Sequence, residues 1–111
     1  MQTIEWQDFE RVELRVGTLR SARLNEKAVK PAYVLEVDLG ELGIKTSSAQ
    51  LTAHYSAEQL IGRQVLCVCN FAPKRIAGIR SEVLVTGVYD EGGKVVLASF
   101  EHPLANGARL A

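Results

Sequence analysis

The chain is poor in the residues on which chemistry is usually built. Its 111 residues include two cysteines, two histidines and one tryptophan, and 13 acidic side chains balance 13 basic ones. No apolar run approaches the roughly eighteen residues that a membrane-spanning helix needs, so membrane insertion is not expected. The segment Met1–Asp8 lacks both a basic stretch and an apolar stretch, so no secretory signal is expected and the cytoplasm is the expected location. Cys67 and Cys69 flank Val68; on a strand both would project to one face about 6.6 Å apart, which suits a disulfide poorly. His54 and His102 stand at no ligand spacing to either cysteine, so no metal or other cofactor is expected and the thiols read as small buried hydrophobes. No carboxylate pair, histidine or nucleophile falls in a catalytic spacing, Ser47-Ser48 lacks a local base, and no glycine-rich phosphate loop opens a helix. Catalysis is therefore not expected.

What is present is an ordinary globular composition, 47% hydrophobic and 23% charged, at a length that supports one core and one domain over residues 1–111. The zero net charge hides a segregation. Between Arg15 and Arg80 lie ten basic residues and five acidic ones, a net of +5, and the two ends carry the compensating acid. For a binding surface the distribution counts for more than the sum.

Hydrophobic spacing predicts mostly strands. Trp6–Glu10 reads as a helical turn with Trp6 and Phe9 on one face. Val12, Leu14 and Val16 alternate with charged residues in a first strand that runs to Leu24, with Gly17 marking a bulge or bend. Asn25–Pro31 is a loop. Tyr33, Leu35, Val37 and Leu39 define a second strand, and Leu42–Ala49 a third that forms a hairpin with it. Ser56 and Gln59 form a capping box for a short helix that Gly62 ends. Val65–Cys69 is a fourth strand, Asn70–Arg80 a loop, Val83–Tyr89 a fifth strand and Val95–Phe100 an extra one, followed by an irregular tail. Three strands, a short helix and two strands is the order of an all-β, five-stranded OB-fold barrel. Here it carries N- and C-terminal extensions outside a core of about 11–89.

Such barrels bind oligonucleotides on one face, bordered by the loops after strands one and four. In this chain those loops hold Lys27 and Lys30, and Lys74, Arg75 and Arg80. Lysine and arginine can contact phosphates, arginine in a bidentate fork. Asn70, Ser47, Ser48, Gln50 and Ser81 are uncharged donors and acceptors near strand ends on the same rim, suited to base edges or 2′-hydroxyls. Phe71 has two readings, a stacking platform or a core plug. Tyr33 reads as core, while Tyr55 and Tyr89 stay open.

The stretches Asp8–Gly17, Lys30–Tyr33, Gly43–Gln50, Leu60–Val65 and Asn70–Leu84 closely resemble the CsaA-like proteins. These are stand-alone relatives of the tRNA-binding domain at the C-terminus of bacterial methionyl-tRNA synthetases. The resemblance runs from about Glu5 to Ala108. It implies an OB fold, a homodimer, and either tRNA binding without catalysis or, as an alternative, chaperoning of unfolded polypeptides for export. It places the RNA-contacting motif on Asn70, Lys74, Arg75, Gly78, Ser81 and Glu82, with Ser47, Ser48 and Gln50 beside it. Ala77 stands where synthetase-appended relatives usually have arginine, Val83 where they have glycine and Leu84 where they have methionine. The lost arginine weakens the phosphate footprint and leaves the fold untouched.

The apolar residues outside the barrel, Trp6, Phe9 and Leu110, are expected at a symmetric dimer interface, the alternative being that they plug the ends of a monomer.

Overall fold

A single long strand organises the molecule by pairing with different neighbours along its length. The computed structural model describes residues 1–110. Helix α1 (Trp6–Glu10) leads into β1 (Leu14–Leu24), then β2 (Tyr33–Asp38), a 3-10 turn (Gly40–Leu42) and β3 (Ile44–Ala49). Helix α2 (Ala57–Leu60) precedes β4 (Gln64–Val68), the short strands β5 (Lys74–Ile76), β6 (Ile79–Ser81) and β7 (Leu84–Val85), and the ribbon β8 (Gly87–Tyr89) and β9 (Val95–Leu97). The main sheet is antiparallel in the order β3-β2-β1-β4-β7. It curls until β3 meets the segment before β7, where the Glu82 N–H donates to the Thr46 carbonyl at 2.7 Å. The result is the nearly closed, five-stranded antiparallel barrel of the OB type, with the expected short helix between β3 and β4 and extensions at both ends.

The alternation read from β2 sets the inside of the barrel. Leu35 and Val37 project inward and join Leu19, Leu39, Leu60, Val65 and Cys67 in a fully buried core. Burying each leucine or valine contributes about 1.5–3 kcal/mol. Strand β1 can serve both neighbours because it is bent. Its bulge lies between Leu19 and Ser21, with Arg20 as the extra residue, and not at Gly17. Gly17 answers a different need: a Cβ there would overlap the Val37 Cγ1 methyl and come within 2.9 Å of Leu39 Cδ2.

The α2 capping box is as read. The Gln59 N–H donates to Ser56 Oγ at 3.2 Å, the Ser56 N–H donates to Gln59 Oε1 at 2.9 Å, and Gly62 takes φ +89°. Several boundaries differ from expectation, chiefly toward the C-terminus. The expected fifth strand splits at Thr86 into β7, paired with β4, and β8, paired with β9. Gly87 permits the split, since a Cβ there would lie 2.6 Å from the Val96 carbonyl. The extra strand ends at Leu97, and the loop after β4 contains the β5–β6 hairpin. The tail is not wholly irregular either: backbone bonds from Gly107 to Val16, Val16 to Ala108 and Leu110 to Leu14 lay it along the first half of β1. That position is vacant because β2 pairs only with Thr18–Leu24.

Candidate nucleic-acid interface

The two loops singled out by charge touch each other. The β5–β6 hairpin pairs Lys74 with Ser81, Arg75 with Arg80 and Ile76 with Ile79. A two-residue connection leaves only Ala77 and Gly78 for the turn, and both take positive φ, +46° and +83°. That is the twist a tight hairpin demands, although alanine adopts it at a cost. The turn rests on the Asn25–Pro31 loop. Asn25, buried to 8% exposure, accepts the Lys27 N–H on Oδ1 at 3.1 Å and donates from Nδ2 to the Ala77 carbonyl at 3.3 Å. Gly78 faces the Lys27 side chain so closely that a Cβ would stand 3.2 Å from its Cδ.

Below this junction lies a cleft of about 430 Å³ lined by Ser21, Arg23, Glu36, Thr46, Arg80 and Glu82, among others. It occupies the outer face of β1–β2–β3, because Arg23 pairs with Val34 and Ser21 with Glu36 on the face opposite the core. Its charges are mixed. Glu36 accepts the Ser21 hydroxyl proton at 2.7 Å and Glu82 Oε1 accepts the Thr46 N–H at 3.1 Å. Lys27, Lys30, Lys74, Arg75, Arg80 and Arg23 make no ion pair among the described residues. Arg75 sits directly opposite Arg80, a like-charge pair that destabilises a hairpin unless an anion lies against it.

The remaining site residues divide by what their polar atoms already do. Asn70 clamps the entry to β1, accepting the Glu13 N–H at 2.9 Å and donating to the Arg11 carbonyl at 2.6 Å. Ser81 Oγ accepts the Ser48 N–H at 3.1 Å, so Ser81, Ser48 and Glu82 together fasten the barrel seam. Ser47 pairs with Leu35 and is 1% exposed, which puts it on the inner face of β3 and away from the rim. Gln50 is exposed just past β3, and with Lys30 it lines a different cleft, of about 820 Å³, together with Leu51, Val85 and Lys94 among others. Phe71 is 59% exposed and is no core plug; it borders a recess with Leu42, Lys45, Cys69 and Pro73.

Tyr33 is core, its hydroxyl donating to the Tyr55 carbonyl at 2.8 Å. The Tyr55 hydroxyl accepts the Leu97 N–H at 3.0 Å, and Tyr89 is solvent-exposed. Sequence reasoning missed Asn25 and Arg23. The signal for the first was Asn25-Glu26-Lys27, in which an asparagine can bond the amide two residues on. The signal for the second was the strand period carried past the bulge. Among the described residues no group of three or more His, Cys, Asp or Glu is placed to hold a metal, and no helix is long and apolar enough to cross a membrane.

Comparison with known proteins agrees with this architecture. Residues 14–109 match the family described as "Putative tRNA binding domain". Chaperone CsaA from Bacillus anthracis superposes with a TM-score of 0.94 at 46% identity, covering 99% of this chain and all of that one. The CsaA chaperone protein from Picrophilus torridus gives 0.91 at 37% identity, covering 98% and 100%. The methionine–tRNA ligase of Chlorobium luteolum is 36% identical over 104 residues, 94% of this chain but 14% of the ligase, so the chain spans about a seventh of that enzyme's length.

Proposed function

The chain belongs to the tRNA-binding-domain family in its CsaA-like branch, the non-catalytic module rather than the catalytic part of the ligases, and on that premise we propose that it binds folded RNA. The reading rests on the cationic hairpin seated on the Asn25–Pro31 loop, with Arg75 opposite Arg80 and, among the described residues, no carboxylate paired to either. Phosphates would contact Lys27, Lys30, Lys74, Arg75 and Arg80, while Arg23 and Thr46 in the cleft beneath would meet sugar or base edges. Tight binding to unfractionated tRNA is expected to fall steeply with salt, because each neutralised phosphate releases counterions. Lys74→Ala with Arg75→Ala is expected to weaken binding and flatten the salt slope by about one to two. No binding at low salt, or binding indifferent to salt and to the double substitution, overturns the reading.

The same reading makes the module a homodimer in the cytoplasm. Trp6 is 64% exposed, its ring 5.6 Å from that of the half-buried Phe9, and Leu110 is 39% exposed, so apolar surface near both ends is left for a second copy to cover. A sedimentation mass of twice 12.2 kDa is expected, and a monomer mass at micromolar concentration counts against it.

A second reading has the stronger support from whole-chain comparison. The two full-length structural matches above are both described as chaperones, whereas the ligase is matched over a seventh of its length. On this reading the protein holds unfolded polypeptides, including those bound for export. Suppression of aggregation of a chemically denatured client, undiminished by Lys74→Ala with Arg75→Ala, is the expected result; no suppression refutes it.

A further inference from the structure

The cleft beneath the hairpin holds two carboxylates where phosphate binding alone calls for none. A row of cleft-lining side chains crosses adjacent strands. Ser21 stands opposite Glu36, Glu36 stands opposite Thr46, and Thr46 is bonded to Glu82 through both main chain and side chain. Arg23, two positions along β1 from Ser21, shares that face and stands opposite Val34. Val34 and Ile79 supply the apolar part of the lining. Toward a polyanion the two glutamates are repulsive, and their structural duties do not explain them. Glu36 Oε1 accepts the Ser21 hydroxyl proton at 2.7 Å and Glu82 Oε1 accepts the Thr46 N–H at 3.1 Å. Each uses one oxygen, and the amide oxygen of glutamine would serve equally. The Oε2 of each has no hydrogen-bond partner among the described residues, and neither glutamate is in an ion pair there. Arg23, on the same face, is in no ion pair either.

Free carboxylate acceptors beside a free guanidinium match one nucleobase. Guanine presents two adjacent donors, N1–H and the N2 amino group, on its Watson–Crick edge. On the adjoining Hoogsteen edge it presents the acceptors O6 and N7, which arginine commonly reads. Uracil offers a single N–H between two carbonyls, and cytosine and adenine set their amino group beside a ring nitrogen that a carboxylate repels. We propose that the cleft reads an unpaired guanine of the bound RNA, an assignment that rests on the RNA-binding reading and gives it a sequence preference. Glu36 and Glu82 accept from N1–H and the N2 amino group, Arg23 donates to O6 and N7, and Val34 and Ile79 lie against the ring face. The base must be unpaired, because pairing occupies the edge that the glutamates read. A volume of about 430 Å³ falls in the range of sites that enclose a small ligand. The cationic rim holds the flanking phosphates.

The probes are fluorescein-labelled heptauridylates whose central residue is uridine, adenosine, cytidine, guanosine or inosine, read by anisotropy at one low salt concentration. The guanosine probe is expected to bind roughly tenfold more tightly than the uridine, adenosine and cytidine probes. Inosine, which lacks only the N2 amino group, is expected to lose most of that gain. Glu36→Gln and Glu82→Gln keep the bonds to Ser21 and Thr46 through the amide oxygen. Each is expected to cut the guanosine preference and, by removing a negative charge, to tighten the uridine probe. Equal affinity for all five probes, or binding of none, overturns the proposal. So does a guanosine preference that survives both substitutions together, or a rise in affinity that is the same for every probe. Salt-dependent tRNA binding without a guanosine preference sinks the pocket and leaves the RNA reading standing. A guanosine preference without tRNA binding does the reverse.

Discussion

Replacing Asn25 by alanine removes the side-chain bond that ties the Asn25–Pro31 loop to the hairpin and another that shapes the loop itself. One is the Asx bond to the Lys27 amide at 3.1 Å, and the other is the longer bond to the Ala77 carbonyl at 3.3 Å. A net hydrogen bond typically contributes about 0.5–1.5 kcal/mol, with a long one near the lower end. Water reaches the exposed Lys27 more easily than the junction itself, so the combined loss is about 1–2 kcal/mol. In a domain of this size 1 kcal/mol moves the midpoint of thermal unfolding by roughly 4 °C or more. The effect should also be local, because the hairpin is a separate two-stranded sheet held to the barrel by few groups. Hydrogen exchange across Lys74–Ser81 is therefore expected to accelerate more than exchange in the core strands. Asn25→Asp separates the two bonds: it keeps the acceptor for Lys27, loses the donor, and sets a carboxylate against the Ala77 carbonyl. It should loosen the hairpin as much as alanine does while preserving the loop. If both variants leave hairpin exchange and the unfolding midpoint unchanged, the junction is not what assembles the cationic rim.

Gly17→Ala forces a methyl into Val37 and Leu39 at the centre of β1, and a loss of about 1–3 kcal/mol is expected in urea unfolding. Asp90 is held below its ordinary value of 3.8 by the Lys94 N–H foremost, then by His54 Nε2 at 2.7 Å and the Gly92 N–H. The ionised form therefore favours the fold: its contribution is whole above that ordinary value and lost as pH falls through the lowered one. The β8–β9 ribbon should loosen in that acid range by NMR, and Asp90→Asn should remove that part of the pH dependence. Burial foremost, with Cys69 beside it, pushes the Cys67 thiol up to about 12. A disulfide reagent at pH 8 should reach at most one thiol in the native protein, slowly at Cys69, and two after unfolding. Rapid native reaction of both would contradict the packing of β4.

The strands legible in the sequence were those with one wet and one dry face. Tyr33, Leu35 and Val37 alternate with Val34, Glu36 and Asp38, and the structure keeps that period with its apolar members inward. The capping box at Ser56 was legible because both its bonds join residues three apart. The β5–β6 hairpin was hidden because its turn uses alanine at a positive φ, where asparagine or glycine would have announced it. The split of the fifth strand was hidden because apolar spacing is continuous across Thr86 while the partner strand changes.

Local pattern alone determined the barrel order, the short helix, the two basic loops and the apolar terminal segments, because periodicity, capping and turn chemistry act between near neighbours. Only the folded chain decided how those parts are used. Asn70 and Ser81 are spent on joining segments distant in sequence, Ser47 faces inward, and Asn25, whose local turn signal gives no hint of its distant partner, seats one basic loop on the other. The fastening of β3 to the segment before β7 is likewise invisible in the sequence, because its bonds join residues thirty-three and more positions apart.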